Sequence, residues 1–343
     1  MAYQMVYTSI KSGLAAGRSG FCTAARHREI SDALVGRIED LSGQYDRGTM
    51  LTRQGGALPV IYSHRVVAIR GREWHLLMRI GDAGNDYSGR TNHIAHTFVL
   101  EPEEVAQLRL TPAELILRLI EDRTWLDRYT EAAKYFEDGG KSLSGYGPLF
   151  KLPAETWRSL TGAAANAAHL MGPGAAMGAG IVSPEGNDPE LLLKLFAESQ
   201  LISSPDRSKP GALWTRSFTT LMQSSEQRGD FDWYGCPYNS PVHMQMLKAN
   251  RFLVELSRSL SSPVGRLADI AEGKTVAEEE RLAPRAESAA GSAAAPMAGS
   301  AAPMAGGIVM PTATLRPMVG DIPGVKGGKE KRKGGIPVWA FAI

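Results

Sequence analysis

Residues 59–80 constrain the fold more than any other stretch. Two runs rich in β-branched, aromatic and aliphatic residues, 66–69 and 74–80, flank Arg70-Gly71-Arg72-Glu73. Such runs favour extended backbone, and the glycine between them suits a tight turn, so a β-hairpin is expected. Residues 3–10 and 20–25 carry similar strand character on either side of the Gly-rich connection 11–19, and a further strand is expected at 95–100. Ile30, Leu34, Ile38 and Leu41 recur at helical spacing, with Glu29, Asp32, Arg37 and Glu39 off that stripe. That pattern predicts an amphipathic helix packed on a sheet. Pro102 and Pro112 sit just inside two helix starts, where a missing N–H costs nothing, and the second helix is expected to run toward Leu126.

Residues 162–180 are mostly Ala, Gly and Met and give no periodic signal. A second unit then follows, with a strand at 180–183, a helix at 189–198 and a strand at 214–222. A hairpin partner is expected at 230–236 and a long closing helix at 241–260. The resulting class is α+β: an antiparallel-rich sheet with flanking helices and a second small α/β unit. The expected division is 1–110 for the N-terminal unit, 111–175 for a helical connection, 176–262 for the second unit and 263–343 for a disordered tail.

The tail rests on composition. The chain holds 37 Gly and 20 Pro, concentrated late, and Ser292-Ala-Ala-Ala-Pro-Met-Ala-Gly299 is nearly repeated at 300–306. Such a tract cannot bury enough apolar surface to offset its ordering entropy. From Arg281 onward there are eight Lys/Arg and three Asp/Glu, a net of +5, which leaves 30 basic and 33 acidic side chains before it, a net of −3. A slightly acidic body has no bulk electrostatic reason to hold a phosphate backbone, so nucleic acid is not an expected partner. Cys22 and Cys236 are the only cysteines, too few for a disulfide framework or a four-ligand zinc site. Without a basic n-region and an apolar h-region at the N-terminus, a cytoplasmic protein is expected. The basic stretch 326–333 and the apolar end 336–343 resemble the cytosolic flank of a membrane segment. A tether to the inner membrane is one reading, a peptide-like docking motif another.

Two clusters could carry chemistry. The first is Asp86-Tyr87-Ser88-Gly89-Arg90-Thr91-Asn92-His93-Ile94-Ala95-His96, between two expected strands. Arg90 could clamp a carboxylate or phosphate, Asn92 could line the same pocket, and His93 and His96 could act as bases. The plainer reading is a loop whose polar side chains satisfy local backbone. His-x-x-His without Cys or acidic neighbours does not make a zinc site, and no metal or cofactor is expected. The second cluster spans 17–27. Cys22 could serve as a nucleophile with His93 or His96 as base, since His27, five residues on, would face the other side of a strand. Cys22 could equally be a small buried residue. Arg18, Arg26 and His27 are further candidates for binding a ligand or partner.

Gly139-Gly140-Lys141-Ser142 ends like a phosphate-binding loop, but Tyr135 stands where the first glycine belongs, so a P-loop NTPase is not expected. Of Trp214, Phe218, Phe231, Trp233, Tyr234 and Tyr238, half are expected, at period-two spacing, to form the inner face of a sheet, a reading preferred to a stacking platform.

Gln4-Met-Val-Tyr7-Thr8-Ser9, Gly13-Leu14, Gly17-Arg18-Ser19-Gly20-Phe21 and Thr23-Ala24-Ala25-Arg26-His27 resemble one block of a bacterial family. Residues 86–96 are similar to its second block. Residues 214–220 with Trp233-Tyr234-Gly235 are similar to a looser third. The family is the type 2 N-terminal domain of GTPase-associated protein 1, and the resemblance spans roughly residues 3–250. It implies a gene neighbourhood with GTPases in multi-gene bacterial conflict systems of the anti-phage kind, and an adaptor role. It brings no catalytic residues to carry over, although an arginine finger in trans would be a mechanism open to such a protein. The leading expectation is therefore a non-enzymatic adaptor binding a partner GTPase or another system protein. The alternatives are a Cys/His-dependent hydrolase and a sensor of a small anionic ligand.

Overall fold

In the computed structural model the hairpin forms as β3 (Ile61–Ile69) and β4 (Arg72–Asn85). The turn is Arg70-Gly71 alone, both at positive φ (52° and 78°), which suits the right-handed twist of the paired strands. The structure describes residues 1–45, 58–137, 139–172, 175, 178–184, 188–224, 227, 229–258 and 260–274, all within the unit Met1–Ala283. Outward from β4, the sheet continues antiparallel through β5 (Thr91–Leu100), β1 (Tyr3–Ile10) and β2 (Gly20–Arg26). It ends at the two-residue β6 (Lys134–Tyr135).

On its other side β3 pairs antiparallel with β8 (Phe218–Thr219), through Ser63–Thr219 and His64–Phe218. Beyond β8 the sheet turns parallel, through β9 (Trp233–Pro237), β7 (Ala179–Ser183) and the edge strand β10 (Phe252–Glu255). The mixed sheet therefore has ten strands among the described residues, in the order β10-β7-β9-β8-β3-β4-β5-β1-β2-β6.

Helix α1 (Asp32–Ser42) starts at Ser31, whose hydroxyl accepts the Leu34 N–H, and buries Leu34, Ile38 and Leu41. These pack against Met5, Leu76 and Val99 on one sheet face. The opposite face is covered by α3 (Pro112–Glu121), α4 (Glu155–Thr161) and α5 (Pro189–Leu201), with the short α2 (Pro102–Val105) at the exit of β5. One apolar core there joins Phe98 and Leu77 of the antiparallel half to Ile181 and Trp233 of the parallel half. Helix α6 (Pro241–Lys248) lies on the other side of the parallel strands, its Val242 and Met246 against Val182 and Cys236.

Four expectations are corrected. Residues 214–222 are not one strand: a 3₁₀ turn spans Pro210–Trp214, and only Phe218–Thr219 is extended. Residues 230–236 are not its hairpin partner, because β9 runs parallel to β8. The Asp232 carboxylate accepts the Ser217 N–H (2.8 Å) and hydroxyl (2.9 Å), which ties the two strand starts side by side. Residues 241–260 are not one helix: α6 stops at Lys248, Asn250 takes positive φ (50°), and the chain enters β10. Finally, Arg266–Ala271, expected in the tail, forms α7, whose Ala271 is fully buried, while the remaining expected tail from 275 lies outside the described residues.

The parallel half tolerates no side chain at Gly235 in β9. A Cβ there would stand 2.3 Å from the Thr220 carbonyl oxygen and 2.4 Å from Leu192 Cδ1. Gly235→Ala is expected to cost about 2–3 kcal/mol, read as a lower urea midpoint. Gly36 in α1 has nothing within 4 Å of the same position, so Gly36→Ala is expected to gain a few tenths of a kcal/mol up to about 1.

Candidate functional site

Register brings the two sequence blocks to one end of the antiparallel half. The carboxyl ends of β1 and β4 meet the amino ends of β2 and β5, so the loops 11–19 and 86–90 emerge together. The second block is mostly strand. Thr91 to His96 belong to β5, and only Asp86 to Arg90 form the connecting loop.

Asp86 organises that loop. Its Oδ1 accepts the Ser88 N–H (2.8 Å), the Ser88 hydroxyl (2.7 Å) and the Arg90 N–H (3.0 Å). Its Oδ2 accepts the Ser9 hydroxyl (2.8 Å) and Arg90 Nη2 (3.1 Å). Loss of water alone would raise its pKa. The hydrogen bonds from Ser88, Ser9 and the Arg90 backbone outweigh that and hold the carboxyl well below the usual range. Asp86 is thus an ionised anchor with its lone pairs spent. Asn92 acts as a staple: its Oδ1 accepts the Thr8 hydroxyl (3.1 Å) and the Ser9 N–H (3.0 Å), fixing β5 to β1. What faces solvent is the tip, with the Tyr87 side chain exposed and Arg90 66% exposed, its guanidinium braced by Ser88 Oγ (2.8 Å) and Asp86.

The first block is built the same way. Glu39 of α1 accepts the Thr23 N–H (2.9 Å) and hydroxyl (2.7 Å) and pairs with Arg18 (3.2 Å), which is half-exposed. Phe21 is partly exposed and stacks on the His93 ring at 4.4 Å. Cys22 is 2% exposed among Val6, Ile10, Ala24 and Ile94, and burial pushes its thiol up. Its Sγ lies 3.4 Å from the Gly20 carbonyl oxygen, and among the described residues no imidazole hydrogen-bonds to it.

The histidines are occupied elsewhere. Their odd spacing puts His93 and His96 on opposite faces of β5. His93 Nε2 donates to the Ser42 carbonyl (3.1 Å), and burial lowers its imidazole to about 4. His96 Nδ1 accepts the Leu126 N–H (3.1 Å), so its Nε2 carries the proton and donates to Gln4 Oε1 (3.1 Å). Burial lowers this ring to about 3. Arg26 and His27 sit at the far end of β2. Arg26 bonds the Ile30 carbonyl (2.5 Å) and Asp32 (2.7 Å), and buried His27 accepts the Gln4 N–H (2.8 Å) on Nδ1.

A cavity of about 540 Å³ opens beside the 86–90 loop, lined in part by Asp86, Tyr87 and Asn92. Its other lining residues include Lys11, Arg128 and Tyr129, which the sequence reading missed. Lys11 directly follows the β1 pattern and could have been flagged, whereas 128–131 arrive from a connection with no periodic signal. Arg90 does not line it. Its lining holds two cations, Lys11 and Arg128, and two carboxylates, Asp86 and Glu131, and both carboxylates also pair with cations outside the lining, Arg90 and Lys134. No group of three or more His, Cys, Asp or Glu among the described residues is placed to hold a metal ion. Nor is any described helix long and apolar enough to cross a membrane. The looser third block is core: Trp214, Phe218 and Trp233 are fully buried.

No curated protein and no solved structure matches this chain. The resemblance carried by the first two blocks is borne out over the segment that contains them: residues 1–137 match the family GTPase-associated protein 1, N-terminal domain type 2.

Proposed function

We propose that the folded body is a non-enzymatic adaptor of a GTPase-associated bacterial conflict system, anti-phage in kind. It binds a partner GTPase, or another protein of that system, through the sheet end formed by the loops 11–19 and 86–90. The observation that carries this reading is the division of labour within the two blocks. The groups that could do chemistry, Cys22, His93, His96 and Asp86, are buried or have their polar atoms engaged. The tips Arg18, Phe21, Tyr87 and Arg90 are exposed on a hydrogen-bonded frame. Arginine and tyrosine held rigidly at a surface lose little entropy on binding and dominate interface energetics.

Affinity capture from native cells tests the proposal, with the intact chain as bait and a Tyr87→Ala/Arg90→Ala variant beside it. The expected result is recovery of an identified GTPase by the intact chain and its loss with the variant. Both side chains are exposed, so the variant should keep its stability to within about 1 kcal/mol. Equal recovery by both chains would move recognition off this surface, and recovery of no system protein by either would count against the adaptor role.

A further inference from the structure

Away from the 86–90 loop, a cleft of about 640 Å³ opens between the loop that precedes α4, the turn that follows α5, and α7. Four cations line it: Lys151, Lys209, Arg266 and Lys274. The only acidic side chain among its lining residues is Asp206. Its Oδ1 accepts the Ser208 N–H (3.0 Å) and hydroxyl (2.8 Å), neutral donors that hold it ionised and leave its charge in place. Lys274 pairs with Asp269 (2.7 Å) just outside the lining. Lys151, Lys209 and Arg266 have no acidic partner among the described residues.

Three unpaired cations around one concavity repel one another and raise the local potential, a cost that a bound anion removes. With Lys274 set against Asp269 and Asp206 counted, the net charge to be matched is about two, more than a single carboxylate or a monoanion supplies. The cleft is within the size range of small-ligand sites, about 300–1,000 Å³. Its lining also includes Leu152, Ile202 and Ile270, apolar side chains that a planar or alkyl moiety could cover. We infer that this cleft binds a small molecule bearing a di- or triphosphate chain, with Lys151, Lys209 and Arg266 on the phosphates. The site is separate from the proposed protein-recognition surface and does not depend on it.

Titration calorimetry on the intact chain at low salt, with tripolyphosphate, ATP and adenosine as probes, tests this. Tripolyphosphate and ATP should bind and adenosine should not, with affinity falling as salt is raised. Binding of ATP more tightly than tripolyphosphate would add the apolar lining to the site, and equal binding would make the phosphate chain the whole ligand. Lys151→Ala/Lys209→Ala/Arg266→Ala alters only exposed side chains and should weaken both anions by about tenfold or more. Lys209→Gln, the milder change, should weaken them in the same direction. Lys11→Ala/Arg128→Ala, in the cavity beside the 86–90 loop, should leave both unchanged. No binding at about 5 mM anion, where any useful site would be filled, overturns the inference. So does binding that survives the triple variant, or a loss that follows Lys11 and Arg128 instead.

Discussion

Lowering the pH from 7 to 5 is expected to remove most of the stability of the folded body, with cooperative unfolding complete by about pH 4. Burial holds the imidazoles of His75 and His93 down to about 4, and those of His64 and His96 to about 3. His64 Nδ1 lies 3.0 Å from the Arg216 carbonyl oxygen, and its Nε2 lies 3.0 Å from His75 Nδ1. The chain of bonds fixes both as neutral tautomers: His64 Nδ1–H donates to the carbonyl, and His75 Nδ1–H donates to His64 Nε2. An added proton on either ring would be a charge in a dry site beside the Trp214 edge.

The sign follows from where the protons go. Unfolded histidines titrate near 6.5, so between 6.5 and 4 the unfolded chain takes up protons that the folded one refuses. This contribution is fully present above about pH 6.5 and falls by about 1.4 kcal/mol per pH unit for each histidine as the pH drops. Four such groups together remove about 5 kcal/mol per unit, against a total stability of about 5–15 kcal/mol for a domain. Hydrogen-bonded carboxylates such as Asp86 lose their contribution only below about pH 4, so the two effects occupy different windows. Urea unfolding at pH 7, 6 and 5 measures the slope, which should correspond to about three to four protons taken up on unfolding. A slope below about one proton would contradict the neutral burial of these rings.

The second large effect is expected at Glu114. This carboxylate is wholly buried at the start of α3 and is held bidentately by Arg207, at 2.7 and 2.8 Å. It also accepts the backbone N–H groups of Thr111 (2.8 Å), Leu149 (3.1 Å) and Phe150 (3.0 Å). Arg207 in turn donates to the carbonyls of Arg109 and Phe150. One ion pair therefore pins α3, the loop before α4 and the turn after α5. Glu114→Ala leaves a nearly buried guanidinium without its counter-charge and three N–H groups without an acceptor, and should cost about 3–5 kcal/mol. Arg207→Ala strands the carboxylate and should cost a similar amount. Because the two share one interaction, the double variant should fall well short of the sum, by about 2–3 kcal/mol in a urea-unfolding cycle. A single-variant cost under about 1 kcal/mol would mean that the surrounding polar groups are satisfied without the pair.

The antiparallel half was legible because its signals are local. Ile30, Leu34, Ile38 and Leu41 announce α1, and Arg70-Gly71 announces the turn between β3 and β4. The parallel half was not. Strand β8 is two residues long and takes its neighbour through the Ser217–Asp232 link, which no periodicity encodes. Phe252 to Glu255 continue an apparent helical pattern, yet they extend because pairing with β7 overrides local propensity. At the candidate site the residue types were legible and their roles were not. Spacing alone cannot say that Asp86 spends its lone pairs on Ser88, Ser9 and Arg90, or that the nearest bonds of His96 run to Gln4 and Leu126. Ser9, Gln4 and Leu126 come from other elements. The Glu114 hub is the same case, for the N–H donors of Leu149 and Phe150 lie 35 and 36 residues downstream.

The central claim, recognition through the tips and not chemistry at the buried groups, is tested most directly by binding isotherms against the GTPase recovered by affinity capture. Three proteins would be compared: the intact chain, Tyr87→Ala/Arg90→Ala and Cys22→Ala. The account predicts that the loop variant weakens binding by about tenfold or more while Cys22→Ala binds as the parent does. Loss of function with Cys22→Ala, at unchanged stability and with binding by the loop variant intact, would contradict it and return the body to the enzyme reading.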